Sequence, residues 1–314
     1  MSEASNGLPW RGPGDGRPEG IPLPPGKMPT RRGGRWRKQW RYMAAFGEEI
    51  MICAARVRVG LIGQTFWAVC ERESGKLWES TRLLLPGARG EAWTEHIGGE
   101  EEVVPELGDL GILNYAPDEG SLGRVDMHLR DVGDVKAFLT FGGGNWVEAV
   151  CPADGEYVWT RKRCDVPVEV DVRIGDRRWR FEGRGMEDES DGYHPHHTVW
   201  DWSAGIGTTR DGRSIGWNLV SGINDPPERS ERAIWVNGEP TEPGPVTFDG
   251  LEAIAFDDGS RLDFKAEAER RKEQNLLLAK YTYRQPFGAF SGRLPGGLEL
   301  ERGAGVMEHH DATW

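Results

Sequence analysis

The feature that most constrains this chain is a strict alternation of apolar and polar residues in short runs closed by glycine-containing turns. In "VEVDVRIG", Val168, Val170, Val172 and Ile174 share one face, while Glu169, Asp171 and Arg173 share the other. A period of two belongs to a half-buried strand, because successive side chains of an extended backbone point to opposite sides. The Gly175-Asp176 pair then turns the chain into "RRWRF". Comparable turn signals occur at "ESGK" (73–76), "RDGR" (210–213), "VNGE" (236–239), "DDGS" (257–260) and "PGG" (295–297). Strands divided this regularly predict an all-β, antiparallel architecture with few helices, a large barrel or sandwich. The 44 glycines and 20 prolines among 314 residues agree, since glycine stands at roughly twice its usual share. The segment "KAEAERRKEQNLLLAK" (265–280) is left open between a solvated helix and a polar edge strand.

Residues 1–28, with "GPGDGRPEG" and "PLPPG", are too rich in proline and glycine to build a core and read as a flexible or wrapping arm. Beyond it we expect an N-terminal β domain over 29–164 and a C-terminal β domain over 165–314. The boundary is placed at "CDVPVEVDV", where a proline precedes a fresh run of alternation.

A formal charge of −12 argues against a general nucleic-acid partner, which calls for a surplus of Lys and Arg. Cys53, Cys70, Cys151 and Cys164 have no ligand-like spacing and read as free thiols of a cytoplasmic protein. No apolar run is long enough for a membrane helix. P-loop and G-x-G-x-x-G motifs are missing from the sequence, so no organic cofactor is expected. "RRGGRWRKQWR" places Arg31, Arg35, Trp36, Arg37 and Trp40 in one basic, aromatic stretch. It suits a weak membrane-surface contact, or a strand whose arginines cover acidic neighbours.

The densest chemistry is "DGYHPHHTVWDW" (191–202). If Tyr193 to Thr208 is one uninterrupted strand, His194, His196, Trp200, Trp202 and Ala204 share a face and Asp201 lies on the other. A two-residue hairpin at Asp211-Gly212 would pair Ala204 with Leu219 and Ile206 with Trp217, marking that face as inward. The ligand-facing set is then His194, His196, Trp200, Trp202, Trp217 and His310. Glu308, His196 and Asp201 are the candidate catalytic acids, since alkene protonation or hydration needs an acid in an apolar pocket beside aromatic rings. No metal is expected; were one bound, His194 and His196 with Glu308 or His310 would be its ligands.

"RRGGRWRKQWRY" (31–42), "FWAVCERESG" (66–75), "DGYHPHHTVWDWSAG" (191–205), "DGRSIGWNLVSG" (211–222), "WVNGE" (235–239) and "GVMEHHDATW" (305–314) together resemble the bacterial family described as domain of unknown function 2804. The resemblance runs from about residue 28 to the end. It is distantly similar to two-barrel, lipocalin-like proteins such as carotenoid hydratases, which implies tandem β-barrels around an apolar cavity. The function expected is binding of an apolar small molecule, a lipid or isoprenoid. The alternative is a hydratase, isomerase or cyclase without a cofactor acting on such a ligand, and a third is a metal-dependent enzyme using the histidines.

Overall fold

In a computed structural model of the chain, residues 7–12, 16–84, 110–114, 125–131, 135–276 and 279–313 are described. They form two large antiparallel sheets, a two-stranded ribbon at 31–36 and one short 3-10 turn at Pro295–Gly297. The all-β, antiparallel expectation holds. No helix among the described residues is long and apolar enough to cross a membrane.

The first sheet runs in the order Lys76–Leu84, Ile62–Glu71, Ile50–Val59, Lys38–Phe46, Arg177–Gly192, Glu156–Ile174, Val135–Phe141, Val125–Asp131, Leu110–Asn114. Trp146–Ala153 pairs with the first half of Glu156–Ile174 and carries Trp10–Gly12 on its outer edge. The second sheet runs Glu239–Thr241, Ala233–Val236, Ser214–Ser221, His197–Thr209, Leu298–Thr313, Ala279–Leu294, Arg261–Leu276, Ala253–Phe256, Val246–Asp249. Neither order closes into a ring of hydrogen bonds among the described residues. Each sheet instead curls over its own core: Ile234 near one edge of the second sheet and Val246 at the other belong to a single apolar cluster with Trp217, Leu219 and Phe290.

The sheets also pack on each other. Tyr42, Ala44 and Phe46, with Cys53, Ala55, Phe66 and Ala68, meet Trp200, Trp202, Ala204, Val220, Phe287 and Val306 in one cluster. The opposite faces of the same strands, through Met43, Ala45, Ile52 and Val69, fill the first sheet's own core. Strands that are buried on both faces read as near-continuous apolar runs, which explains "YMAAF" and "FWAVC". At Asp165, where φ is +62°, the ladder slips by one residue between Cys164 and Val166. That carboxylate accepts from Arg184 and, at 2.6 Å, from Ser214 Oγ of the second sheet.

Two expectations need correction, and the reading left open for 265–280 is resolved for its described residues. The boundary at 164/165 lies inside the continuous strand Glu156–Ile174; the chain changes sheets between Gly192 and His197. Residues 265–276 and 279–280 are strand, not helix, because they pair along the whole hairpin Arg261–Leu276 with Ala279–Leu294. The hairpin after His197–Thr209 has a three-residue loop, Arg210-Asp211-Gly212, closed by Thr209 N–H donating to Arg213 O at 3.0 Å. Gly212 takes φ +85° there, as the left-handed position of such a loop requires. The added residue shifts the register by one, so Ala204 faces Asn218 and Gly205 faces Trp217. The arm wraps: Tyr157 Oη donates to Pro22 O at 2.6 Å, Tyr193 Oη to Pro29 O at 2.8 Å, and Met28 is buried. Residues 1–6 and 13–15 lie outside the described residues.

Candidate active site between the sheets

A cavity of about 100 Å³ lies where the two sheets meet. Trp40, Tyr42, Ala55, Val57 and Phe66 supply one wall, and Trp200, Trp202, Val220 and Ile223 the other. Trp40 and Trp200 stack nearly parallel with centroids 6.1 Å apart, and Tyr42 meets Trp202 edge-on at 5.4 Å. Trp40, Val57, Ile223 and His310 are the half-buried members of the lining, so solvent reaches the cavity past them.

Two polar groups stand in this aromatic enclosure. At the first, Glu308 accepts from Trp200 Nε1 at 2.9 Å and from Gln285 Nε2 at 3.1 Å. Both donors are neutral. Burial pushes the carboxyl's pKa up to about 7, opposed by Trp200 and the nearby Tyr283 hydroxyl. His310 lies against the Trp200 ring at 4.1 Å, and burial pushes its imidazolium down to about 3, so it is neutral beside Glu308. At the second, the Lys162 ammonium meets Asp188 and lies 3.4 Å from Glu231 Oε1, while Asn224 Nδ2 donates to Glu231 Oε2 at 3.1 Å. Asp188 and Glu231 outweigh burial and keep Lys162 charged. With one cation shared by two carboxyls, burial raises Glu231 to about 7. Burial thus biases both Glu308 and Glu231 toward their protonated forms.

Of the residues singled out in the sequence, Glu308, His310, Trp200 and Trp202 meet at this cavity. His194 is buried against Trp40, with centroids 4.8 Å apart, just outside the lining. His196 is exposed, because the strand begins at His197 and residues 193–196 form the passage between sheets; the uninterrupted strand from Tyr193 is thereby corrected. Trp217 belongs to the second sheet's own core, donating to Ser203 Oγ at 3.1 Å, since the one-residue shift turns it to the other face. Asp201 also lies away from the cavity, bonded to His309 Nδ1 at 2.8 Å. The metal set of His194, His196, Glu308 and His310 does not converge, and among the described residues no three His, Cys, Asp or Glu side chains do. The basic stretch is dispersed as well. Arg37 is buried on Asp191, Arg35 bonds Asp154 and the carbonyls of Ala153 and Tyr193, Trp40 lines the cavity, and Arg31 sits over exposed Trp36.

Sequence reasoning missed Tyr42, Lys162, Asp188, Glu231, Tyr283 and Gln285. One signal was available: in Tyr281, Tyr283, Gln285 and Phe287 a lone amide interrupts an aromatic face at period two. The acids around Lys162 gave none: Asp188 pairs with it across two strands of the first sheet, and Glu231 joins them only where the two sheets pack.

The sequence profile of the family described as domain of unknown function 2804 matches residues 27–314. The chain belongs to that family. Among curated proteins, none matches it significantly in sequence. Among solved structures, this member of the 2804 family is similar to kievitone hydratase from Nectria haematococca, with TM-score 0.51, 8% identity and coverage of 88% of each chain. A provisionally named AttH of Nitrosomonas europaea has TM-score 0.49 at 12% identity, covering 92% of this chain and 98% of that one. CghA, solved with Sch210972, has TM-score 0.45 at 10% identity over 88% of each chain. At such identities the likeness to kievitone hydratase speaks for the fold alone.

Proposed function

We propose that the protein takes an apolar small molecule into the cavity between its sheets and transfers a proton to it from Glu308. The reaction is of the hydratase, isomerase or cyclase type and needs no organic cofactor. The observation that carries this reading is Glu308 itself: a carboxyl buried against indole rings, oriented by two neutral donors and titrating at about 7. A general acid works best when its pKa is near the ambient pH, and aromatic faces stabilise positive charge that develops on a protonated substrate. Neutral His310 leaves Glu308 as the group that gives up the proton, and Glu231 across the cavity can accept one. The reaction type is also supported by the fold shared with a hydratase. The cavity of about 100 Å³ takes the reacting end of a molecule, since sites that enclose a whole ligand run to roughly 300 Å³ or more. The body would extend past Trp40 and Ile223.

Native mass spectrometry of the purified protein followed by solvent extraction is expected to reveal a bound apolar compound. That compound, incubated with the protein in D₂O, should gain carbon-bound deuterium. Glu308→Gln should bind it and exchange it about 10²–10⁴-fold more slowly. Equal exchange by the variant and the native protein would remove Glu308 from this role. A pure carrier would bind the compound with no exchange at all.

A further inference from the structure

Two tyrosine hydroxyls in the cavity wall are only weakly engaged by the fold. Tyr42 and Tyr283 are 6% and 7% exposed, line the cavity from opposite sheets and flank the ring of Phe66, at 6.4 Å and 6.1 Å between centroids. Neither hydroxyl completes a hydrogen bond. Tyr42 approaches the Cys53 thiol, which itself points to Gln285 Oε1 at 3.8 Å, and Tyr283 approaches the Glu308 carboxyl. A buried hydroxyl left unpaired destabilises a fold, so the arrangement makes sense when something else accepts from it. Burial drives the pKa of both tyrosines well above 10, with Cys53 and Glu308 adding to the effect respectively, so both stay O–H donors at every physiological pH.

We propose that Tyr42, Tyr283 and Glu308 form a receptor for one oxygen atom of the ligand, so that the compound bound between the sheets is an apolar carbonyl or hydroxyl compound rather than a plain hydrocarbon. This rests on the cavity reading above and narrows its substrate class. The two hydroxyls come from different sheets, so the ligand's oxygen would complete hydrogen bonds across the interface. A carbonyl accepts from the tyrosines and from protonated Glu308. A hydroxyl accepts from the tyrosines and donates to ionised Glu308. The same donors would stabilise negative charge developing on a carbonyl oxygen, which is how a neutral carboxylic acid beside a tyrosine can assist proton abstraction next to a carbonyl.

Phenol, benzaldehyde and toluene test this, because they share a ring that suits the cavity and differ in the oxygen. Binding of each is measured by calorimetry and by ligand-observed NMR, on the native protein, on Tyr42→Phe, on Tyr283→Phe and on the double variant. In a merely apolar cavity toluene binds best, since phenol and benzaldehyde must shed water. Here the better oxygen ligand is expected to exceed toluene by about tenfold, the worth of one or two net hydrogen bonds. The double variant should reverse that order while holding toluene unchanged. Its melting temperature should be unchanged or higher, whereas hydroxyls with a structural role would lower it on removal. The pH arm separates the two oxygens. Glu308 faces Tyr283 and His310 and, across the cavity, Lys162, Asp188 and Glu231, with Arg270 packed on Phe66 and Tyr283. As pH rises through about 7, a carbonyl loses the Glu308 donor and benzaldehyde should weaken, while phenol should strengthen. Toluene equal to or tighter than both oxygen ligands overturns the receptor and leaves the apolar cavity standing. An oxygen preference that survives in the double variant also overturns it. If none of the three binds, the receptor and the cavity reading fall together.

Discussion

Glu187 and Glu308 are both buried glutamates, 1% and 8% exposed, yet they are opposite kinds of group. Glu187 sits inside the first sheet's curl, accepting from Arg163 Nη2 at 2.6 Å and from Arg41 Nη2 at 3.3 Å. Burial alone would raise its pKa, but Arg163, Arg41 and Arg161 outweigh burial and hold it below the ordinary glutamate value. Glu308 meets only neutral donors and rises to about 7. Depth is shared; the charge of the partners is not. A carboxyl between guanidiniums is a permanent anion that ties strands together, whereas one held by an indole and an amide keeps a proton it can give away.

The largest expected effect breaks the first member of this pair. Glu187→Gln leaves the buried guanidiniums of Arg41 and Arg163 without their shared anion and should cost about 3–5 kcal/mol, read from urea denaturation at neutral pH. Glu308→Gln removes no charge from a cation and should shift stability far less at pH 6. A loss for Glu308→Gln as large as that for Glu187→Gln would erase the distinction.

Titration sharpens the contrast, and its sign differs for the two. Glu308 has a folded pKa raised from 4.5 to about 7, so between those values the folded state holds a proton that the unfolded chain has released. Stability from this group therefore falls as pH rises through that window, by about 3 kcal/mol in total. Glu231, also raised to about 7, pulls the same way, while His310 and His194, whose folded pKa values are depressed, pull oppositely below 6.5. The net slope of the native protein is thus partly cancelled, and the informative quantity is the difference between Glu308→Gln and the native protein. The variant should gain relative stability from pH 4.5 to 8. Glu187→Gln should show no such trend there, because a depressed carboxyl contributes stability that is lost only as pH falls below 4.5.

How much of this was legible beforehand follows from the range of each interaction. The alternation of Val168 to Ile174 and the glycine turns are local, and they led to the antiparallel class. Trp200 and Trp202 were assigned to a buried face by the same period, and that survives, although the hairpin argument behind it was off by one residue. The miss came from a single loop residue: three at Arg210-Asp211-Gly212 instead of two sends Trp217 to the other core. His196 was misplaced because nothing local shows that the strand starts only at His197. Glu308 could be named as an acid in an alternating strand. Its partners Tyr283 and Gln285 are on the neighbouring strand of the same sheet, and Tyr42, Lys162 and Asp188 come from the other sheet. A reading of one strand at a time could not assemble a site that two sheets share.

Asp201 supplies the smallest effect and a control for the comparison. It lies one residue from Trp200 and Trp202, but on the face turned away from the cavity, where it bonds His309 Nδ1 at 2.8 Å. Both side chains are about one-third exposed, 32% and 38%, so water screens the pair and competes for each partner. Such pairs contribute roughly 0–1 kcal/mol. Asp201→Asn should therefore lower stability by less than about 1 kcal/mol, and the change should shrink further in salt. Toluene binding and any deuterium exchange on the ligand should be untouched. If Asp201→Asn instead slowed exchange as much as Glu308→Gln, proximity in sequence would outrank the face a residue occupies, and the assignment of proton transfer to the carboxyl between the indole and the amide would be lost.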